Sequence, residues 1–194
     1  MDDRTQKYYS DNAEEYFNET VNSFVAQAAE EFLSFVPEKG RILDCGCGSG
    51  RDTKYFLSLG YDVDAVDASE ELCTLASRYA NHEVRCMDYW DIAEDEVYDG
   101  IWAQASLLHE RRENLPTLFS LLSRLLRKGG VLYCSFREGK TDGREGERWY
   151  TNVTEDDLKI LLPHSLSFLK IWYSRDVRPG YSHRWINILA KKEE

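Results

Sequence analysis

Apolar residues along the chain recur with two different spacings, and these predict alternating strands and helices. Strands are expected where short apolar runs end at a polar residue, and helices where apolar residues recur every three or four positions. The predicted strands are Arg41–Cys45, Tyr61–Asp67, Glu83–Cys86, Asp99–Gln104, Val131–Phe136, Phe168–Ser174 and Arg184–Ala190. The predicted helices are Val21–Val36, Arg51–Leu59, Ser69–Tyr79 and Leu115–Leu126, and a further helix opens at Thr154.

The order of these elements predicts the fold class. Strands that alternate with helices imply right-handed crossovers and a doubly wound, mostly parallel α/β sheet, here of seven strands. The last two strands are only nine residues apart, too few for a crossover helix, so they should form a C-terminal antiparallel hairpin. The polar, glycine-containing stretch Arg137–Arg148 is expected to be a mobile loop.

Composition limits the classes of partner. The 194 residues are enough for one domain with a real core, and the net charge of −11 argues against a nucleic-acid partner. No secretory signal and no apolar run long enough for a membrane span are found. Five cysteines without a C-x-x-C pair indicate a reduced, cytoplasmic protein. The four histidines lack metal-ligand spacing, so no metal site is expected.

The stretch Asp44–Gly50 carries the most specific signal. Its D-x-G-x-G-x-G pattern joins a predicted strand to a helix through residues without bulky side chains, so a ligand can lie against bare backbone. Asp67, at the end of the next strand, suits both hydroxyls of a ribose. Arg51 stands where a dinucleotide site needs a small residue, and Asp44 would repel phosphates. The pattern therefore favours a ribonucleoside with an ammonium group, such as S-adenosylmethionine.

With these motifs the chain resembles the class I S-adenosylmethionine-dependent methyltransferases. The resemblance covers about residues 8–190 and is carried by Asp44–Gly50, Asp67, Cys86–Asp88, Asp99–Ala103 and Leu126–Gly130. A narrower likeness to tellurite-resistance-type methyltransferases comes from Gly50–Asp52 followed by Tyr55–Leu57. The resemblance implies a Rossmann-like methyltransferase fold and S-adenosylmethionine as the cofactor.

The resemblance also implies cofactor-binding roles for particular residues. Asp44 and Gly46 should face the methionine moiety, Gly48 and Gly50 should allow close backbone approach, and Asp67 should bind the ribose. The remaining expected contacts are Ala68 and Asp88 at the adenine, Tyr89 stacked near it, Gln104 at the end of the fourth strand, and Tyr9 and Tyr16 on a lid helix. For the two lid tyrosines, simple packing on the sheet remains an alternative.

The chain is expected to be a single methyltransferase domain, 1–194, in three parts. Residues 1–36 form lid helices, residues 41–136 the cofactor-binding core, and residues 137–194 the substrate-side loop, helix and hairpin. A general base is needed only if the acceptor arrives protonated, and His109 is the candidate. The alternative for His109 is a structural role. Candidate substrate residues are Arg137, Trp149 and Arg178.

The final third contains six arginines in its loops and strands, which favour an anionic substrate unless neighbouring carboxylates pair with them. These arginines are Arg137, Arg144, Arg148, Arg175, Arg178 and Arg184. The leading interpretation is in-line methyl transfer to a small-molecule acceptor, with no nucleic-acid or membrane partner. The alternatives are a non-catalytic S-adenosylmethionine-binding protein and an NAD-dependent oxidoreductase. The acceptor, the use of a base and the oligomeric state stay open.

Overall fold

A computed structural model describes residues 2–178 and 180–193. The helices are α1 (Asp3–Asp11), α2 (Ala13–Thr20), α3 (Ala26–Leu33), α4 (Arg51–Ser58), α5 (Glu70–Ala80), α6 (Leu115–Leu125) and α7 (Glu155–Leu161). The strands are β1 (Arg41–Cys45), β2 (Asp62–Asp67), β3 (Val84–Cys86), β4 (Tyr98–Ala103), β5 (Leu126–Arg137), β6 (Gly143–Glu145), β7 (Arg148–Tyr150), β8 (Leu166–Arg175) and β9 (Arg184–Lys192). Single turns of 3₁₀ helix lie at Tyr89–Asp91, Leu107–His109 and Arg112–Asn114.

Seven of the strands form one sheet in the order β3-β2-β1-β4-β5-β9-β8. The pairs from β3 to β5 are parallel, whereas β9 is antiparallel to both β5 and β8. The predicted doubly wound sheet with a C-terminal antiparallel hairpin is therefore confirmed. The strand order reverses between β1 and β4, and the carboxyl ends of the strands at such a point form a crevice for ligands.

Both faces of the sheet are covered by helices, so its central strands are apolar on both sides. On one face Phe32 and Phe56 pack against Trp102, whose ring also stacks on Tyr133 at 4.0 Å. The indole N–H of Trp102 donates a hydrogen bond of 2.9 Å to Asp52 in the first turn of α4. This bond connects the core directly to the glycine turn that precedes α4.

The segment expected to be a mobile loop is in fact a hairpin, so that prediction is wrong. Strand β5 continues through Arg137, and β6 then pairs with β7. Arg112 anchors the base of the hairpin, since it donates two hydrogen bonds of 2.8 Å to Asp142 and a third to the carbonyl of Asn152. Such distant anchors order a polar, glycine-containing sequence, and local pattern does not reveal them.

The helix expected over Val21–Val36 is shorter, because α3 begins only at Ala26. The residues before it form turns whose carbonyl groups bond to a side chain instead of continuing a helix. Arg51 donates from Nη1 to the carbonyl oxygens of Thr20 and Ser23, at 3.3 and 2.7 Å. This arrangement brings the turn between α2 and α3 to the edge of the ligand crevice.

Across the described residues, none of the helices has the length and apolar character that a membrane crossing requires.

Candidate active site

Two adjoining cavities lie beyond the carboxyl ends of the strands. The β2-side cavity follows the ends of β2 and β3, and the β5-side cavity extends over β4, β5 and the β8–β9 hairpin. The residues that line both are Tyr9, Tyr16, Gly46, Gly48, Ala105 and His109. The cavities thus meet at the glycine turn, under helices α1 and α2.

The glycine turn needs its glycines for two separate reasons. Gly46 has φ of +79° and Gly50 has φ of +72°, in the left-handed region that favours glycine. A Cβ on Gly46 would also overlap the Ser106 hydroxyl, and one on Gly50 would lie 2.9 Å from the Ala76 Cβ. Gly46 and Gly48 line both cavities, whereas Gly50, also predicted to face the cofactor, lines neither and packs against α5.

Asp44 lies at the end of β1 and lines the β5-side cavity. It is only 2% exposed, and its Oδ2 accepts a hydrogen bond of 2.6 Å from Thr53. Burial raises the pKa of Asp44, and the neighbouring Asp52 carboxylate adds to this effect. A buried carboxylate in this state is stabilised by a cation beside it. The ammonium group of S-adenosylmethionine supplies such a cation, so Asp44 fits the predicted cofactor.

Asp67 and Asp88 both line the β2-side cavity, as the sequence predicts. The Asp67 carboxylate accepts hydrogen bonds from the backbone N–H groups of Gly48 and Ser69, at 2.9 and 3.0 Å. These bonds hold the carboxylate at the turn, although burial raises its pKa. Asp88 accepts from the backbone N–H of Trp90 at 3.1 Å. Ala68 also lines this cavity, and its carbonyl accepts a hydrogen bond of 2.9 Å from Gln6 on α1.

Tyr89 is held at the β2-side cavity by Glu110, a residue that the sequence analysis did not select. Glu110 accepts hydrogen bonds from the Tyr89 hydroxyl and the Trp90 indole N–H, at 2.9 and 3.0 Å. Burial acts to raise its pKa, but hydrogen bonds, led by those from Asn114 and Trp90, outweigh burial and hold the pKa at about 2. Glu110 is therefore a charged anchor that orients the aromatic side chains after β3. No local motif indicates it.

In the sequence Arg51 argues against dinucleotide binding and carries no predicted contact, but in the structure it organises the site. Its side chain bonds to both oxygens of Asp52, to the carbonyls of Thr20 and Ser23, and to Gln104 at 3.0 Å. These contacts engage all five guanidinium N–H groups. Arg51 thereby connects the α2–α3 turn to Gln104. Gln104 lines the β5-side cavity, and the sequence predicts it as a cofactor contact.

His109 is buried at the junction of the two cavities, with both ring nitrogens engaged. Nδ1 lies 2.7 Å from the carbonyl oxygen of Trp149, and Nε2 lies 2.7 Å from the hydroxyl of Tyr9. Because a carbonyl can only accept, Nδ1 carries the proton, and neutral Nε2 accepts from Tyr9. Burial lowers the pKa of His109 to about 4, and the charges of Arg148 and Arg137 add to this effect.

Tyr9 and Tyr16, the predicted lid tyrosines, line both cavities. Their rings meet edge to face, with centroids 4.9 Å apart. The Tyr16 ring lies against the glycine turn, since a Cβ on Gly48 would be 3.2 Å from it. Burial raises the pKa of Tyr16 to about 12, with a further contribution from Asp67.

Two of the three predicted substrate residues line a cavity, and the third does not. Arg137 and Arg178 line the β5-side cavity, but Trp149 lines neither cavity. The indole N–H of Trp149 donates to Thr151 at 2.9 Å, and Arg111 lies over its ring at 3.5 Å. Its neighbour Tyr150 lines the cavity instead, because adjacent residues of a strand point to opposite faces. Of the other arginines considered, Arg148 and Arg175 reach the cavity, whereas Arg144 and Arg184 do not line it.

Comparison with known proteins agrees with this geometry. Residues 42–130 match the family described as "Methyltransferase domain". The chain is 25% identical over 148 residues to malonyl-[acyl-carrier protein] O-methyltransferase of Pectobacterium atrosepticum, covering 72% of this chain and 56% of that protein. It is 34% identical over 127 residues to N-terminal Xaa-Pro-Lys N-methyltransferase 1 of Bos taurus, covering 58% and 57%. The chain thus spans about half the length of these relatives.

A solved structure shares the fold over nearly the whole chain. It is the Burkholderia thailandensis 1,6-didemethyltoxoflavin-N1-methyltransferase with bound 1,6-didemethyltoxoflavin and S-adenosylhomocysteine. The TM-score is 0.80 at 23% identity, and the match covers 98% of this chain and 88% of that one. The fold and the crevice at the strand ends define the class I, Rossmann-like methyltransferase architecture. Residues 42–130 therefore match the methyltransferase domain that the motifs predict, and the chain as a whole has the fold expected of class I S-adenosylmethionine-dependent methyltransferases. The narrower likeness to tellurite-resistance-type enzymes stays a prediction.

Proposed function

We propose that this chain transfers the methyl group of S-adenosylmethionine to a small-molecule acceptor. The observation that carries the proposal is the junction of the two cavities at the glycine turn, below Tyr9 and Tyr16. One cavity offers the carboxylates suited to a nucleoside, and the other opens into a space that such a nucleoside would not fill. A methyl group presented at the junction would therefore face the second cavity.

In this proposal each of three carboxylates binds a different part of the cofactor. Asp67 would bind the ribose and Asp88 the adenine, while Asp44 would pair with the ammonium group of the methionine moiety. Ala68, Tyr89 and the glycine backbone would complete the surface that faces the cofactor. Gln104, held by Arg51, would border the methionine moiety at the end of β4.

S-adenosylmethionine supplies an electrophilic methyl group on a positively charged sulfur. The contribution of the chain is alignment and exclusion of water, which lower the barrier of an in-line displacement without obligatory proton chemistry. Helix α1 contributes to both, because Tyr9 covers the junction and is itself 9% exposed.

The structure suggests a more specific route for a proton than the sequence does. Since Nε2 of His109 accepts a hydrogen bond from Tyr9, the Tyr9 oxygen would stand between the imidazole and a bound acceptor. We infer a relay in which the acceptor proton passes to Tyr9 Oη while the Tyr9 proton passes to His109 Nε2. Trp149 then stabilises the imidazolium through its carbonyl. A histidine whose pKa is about 4 is a weak base, so the relay suits an acidic O–H or N–H.

The test combines cofactor binding with turnover. Calorimetry should detect S-adenosylmethionine and S-adenosylhomocysteine but not NADH, and a panel of small acceptors should be screened for release of S-adenosylhomocysteine. Binding without turnover across a broad panel would favour the non-catalytic alternative. Binding of NADH in place of S-adenosylmethionine would overturn the proposal. No observation among the described residues favours either alternative.

A further inference from the structure

The arginines that line the β5-side cavity differ in what neutralises them. Arg51 is tied to Asp52, and Arg178 donates two hydrogen bonds to Asp176, at 2.9 and 2.7 Å. Arg175 is exposed, so solvent screens its charge. Within residues 2–178 and 180–193, the remaining two arginines of this cavity, Arg137 and Arg148, each have a buried Nε that no protein group accepts from.

Arg148 pairs with no carboxylate among the described residues. Its guanidinium lies over the ring of Tyr8 at 4.6 Å and near that of Tyr150 at 5.5 Å. Its Nε is buried without a hydrogen-bond partner. Rings stabilise the face of a guanidinium but make no hydrogen bonds to its N–H groups. The Tyr9 hydroxyl interacts with the Arg148 side chain, and Nε stays without a partner.

Arg137, at the end of β5, repeats this arrangement. It is 6% exposed, and its guanidinium lies 3.6 Å from the centre of the Tyr150 ring. Nη1 pairs with Glu145 at 2.8 Å, but Nε is buried and has no partner. Four buried side-chain polar atoms lack a partner in the described residues, and two of them are these Nε atoms. A buried donor without a partner is destabilising, and both of these donors belong to arginines that line the same cavity, so a ligand with acceptor oxygens would suit it.

The charge of the pair defines the ligand. Arg137, Arg148 and Glu145 together carry one net positive charge in a chain whose overall charge is −11. The two guanidinium groups are held by one ring, Tyr150, and forked N–H groups match the oxygens of a carboxylate or phosphate. The rings of Tyr150 and His109 lie 5.0 Å apart, so an anion bound by these arginines would lie on the Tyr9–His109 side of the cavity.

We propose that Arg148 and Arg137, supported by Tyr150, form an oxyanion subsite, and that the methyl acceptor is a small molecule with a carboxylate or phosphate group. This inference rests on the proposed function, because the subsite selects the acceptor of that reaction. It assigns the arginines to acceptor recognition, and Asp44 and Asp67 to the cofactor.

The test uses the full chain saturated with S-adenosylhomocysteine. Benzoate, inorganic phosphate and neutral benzamide are titrated by ligand-observed NMR, and S-adenosylhomocysteine affinity is measured separately by calorimetry. The variants are Arg148→Gln, Arg148→Lys, and Arg184→Gln as a control on the same third of the chain.

We expect an anion to bind at least about tenfold better than benzamide, and Arg148→Gln to lose about tenfold in anion affinity. Arg148→Lys should lie in between, and Arg184→Gln should match the wild type.

Each outcome is decisive. Preference for benzoate identifies a carboxylate acceptor, and preference for phosphate identifies a phosphorylated one. Equal binding of benzamide, no binding of either anion, or an unchanged Arg148→Gln would overturn the subsite while S-adenosylhomocysteine binding upholds the cofactor assignment. Failure to bind S-adenosylhomocysteine, with anion binding intact in titrations repeated without it, would instead overturn the proposed function.

Discussion

The two cavities are built in different ways. The β2-side cavity is formed mainly by the strand ends and the turns that follow them, each read directly from a short motif. The β5-side cavity also borders the glycine turn, including Asp44, but the rest of its wall is assembled from the α2–α3 turn, the β6–β7 hairpin and the β8–β9 hairpin, which are far apart in sequence. We infer that local motifs specify cofactor binding in this chain, whereas long-range packing specifies the acceptor. Variants that affect one cavity and spare the other test this division.

The largest effect is expected for Asp67→Ala. The change removes the carboxylate that would accept both ribose hydroxyls, and it also releases the Gly48 N–H. Hydrogen bonds to charged groups contribute about 1.5–3 kcal/mol each, so S-adenosylhomocysteine affinity should fall about 10²–10³-fold by calorimetry. Asp62→Asn, on the same strand with its side chain 71% exposed, is the control. An affinity within threefold of the wild type for Asp67→Ala would contradict the assigned role.

Tyr9→Phe acts at the junction and is expected to separate the two functions. The variant keeps the ring but removes the hydroxyl that bonds to His109. Turnover should fall roughly 10²-fold if Tyr9 relays a proton, while S-adenosylhomocysteine affinity changes little. The measurement is kcat alongside calorimetric affinity, with Tyr8→Phe as the matched control. Parallel losses of turnover and cofactor affinity would show that Tyr9 serves only as a lid.

Short motifs in the sequence select residues that the fold brings together at the strand ends, because these residues are neighbours within each motif. Asp44, Gly46, Asp67 and Asp88 all line the cavities as expected, although their cofactor contacts remain predictions. The acceptor half depends on contacts that no local pattern encodes. The bond between Tyr9 and His109 spans 100 positions.

Trp149 illustrates the same difficulty. It and Tyr150 are adjacent aromatic residues, and only the register of β7 decides which one faces the cavity. That strand could not be predicted, because its polar, glycine-containing surroundings resemble a loop. The hairpin is ordered by Arg112 and by helix α1, both distant in sequence.

His109 also gives the stability of the protein a predictable dependence on pH. The folded imidazole, with its pKa of about 4, stays neutral while that of the unfolded chain gains a proton near pH 6.5. The unfolded state therefore binds more protons, and stability should fall as pH drops from about 6.5 toward 4, by up to about 3 kcal/mol. Urea unfolding of wild type and His109→Gln at several pH values measures this contribution. If the difference in unfolding free energy between wild type and variant does not change with pH, His109 makes no such contribution.

The smallest effect concerns the contact between helix α1, the proposed lid, and the β6–β7 hairpin. Arg144 on β6 pairs with Asp2 at the start of α1 at 2.7 Å, and the backbone N–H of Trp149 donates to Thr5 at 2.9 Å. A partly exposed ion pair contributes about 0.5–1 kcal/mol. Because α1 carries Tyr9 over the junction, Arg144→Gln should speed S-adenosylhomocysteine dissociation about two- to fivefold in stopped-flow measurements. Lys7→Gln, which breaks an exposed pair within α1, should leave the rate unchanged. Equal rates for both variants would mean that the hairpin does not restrain the lid, and the two cavities would then exchange their ligands independently.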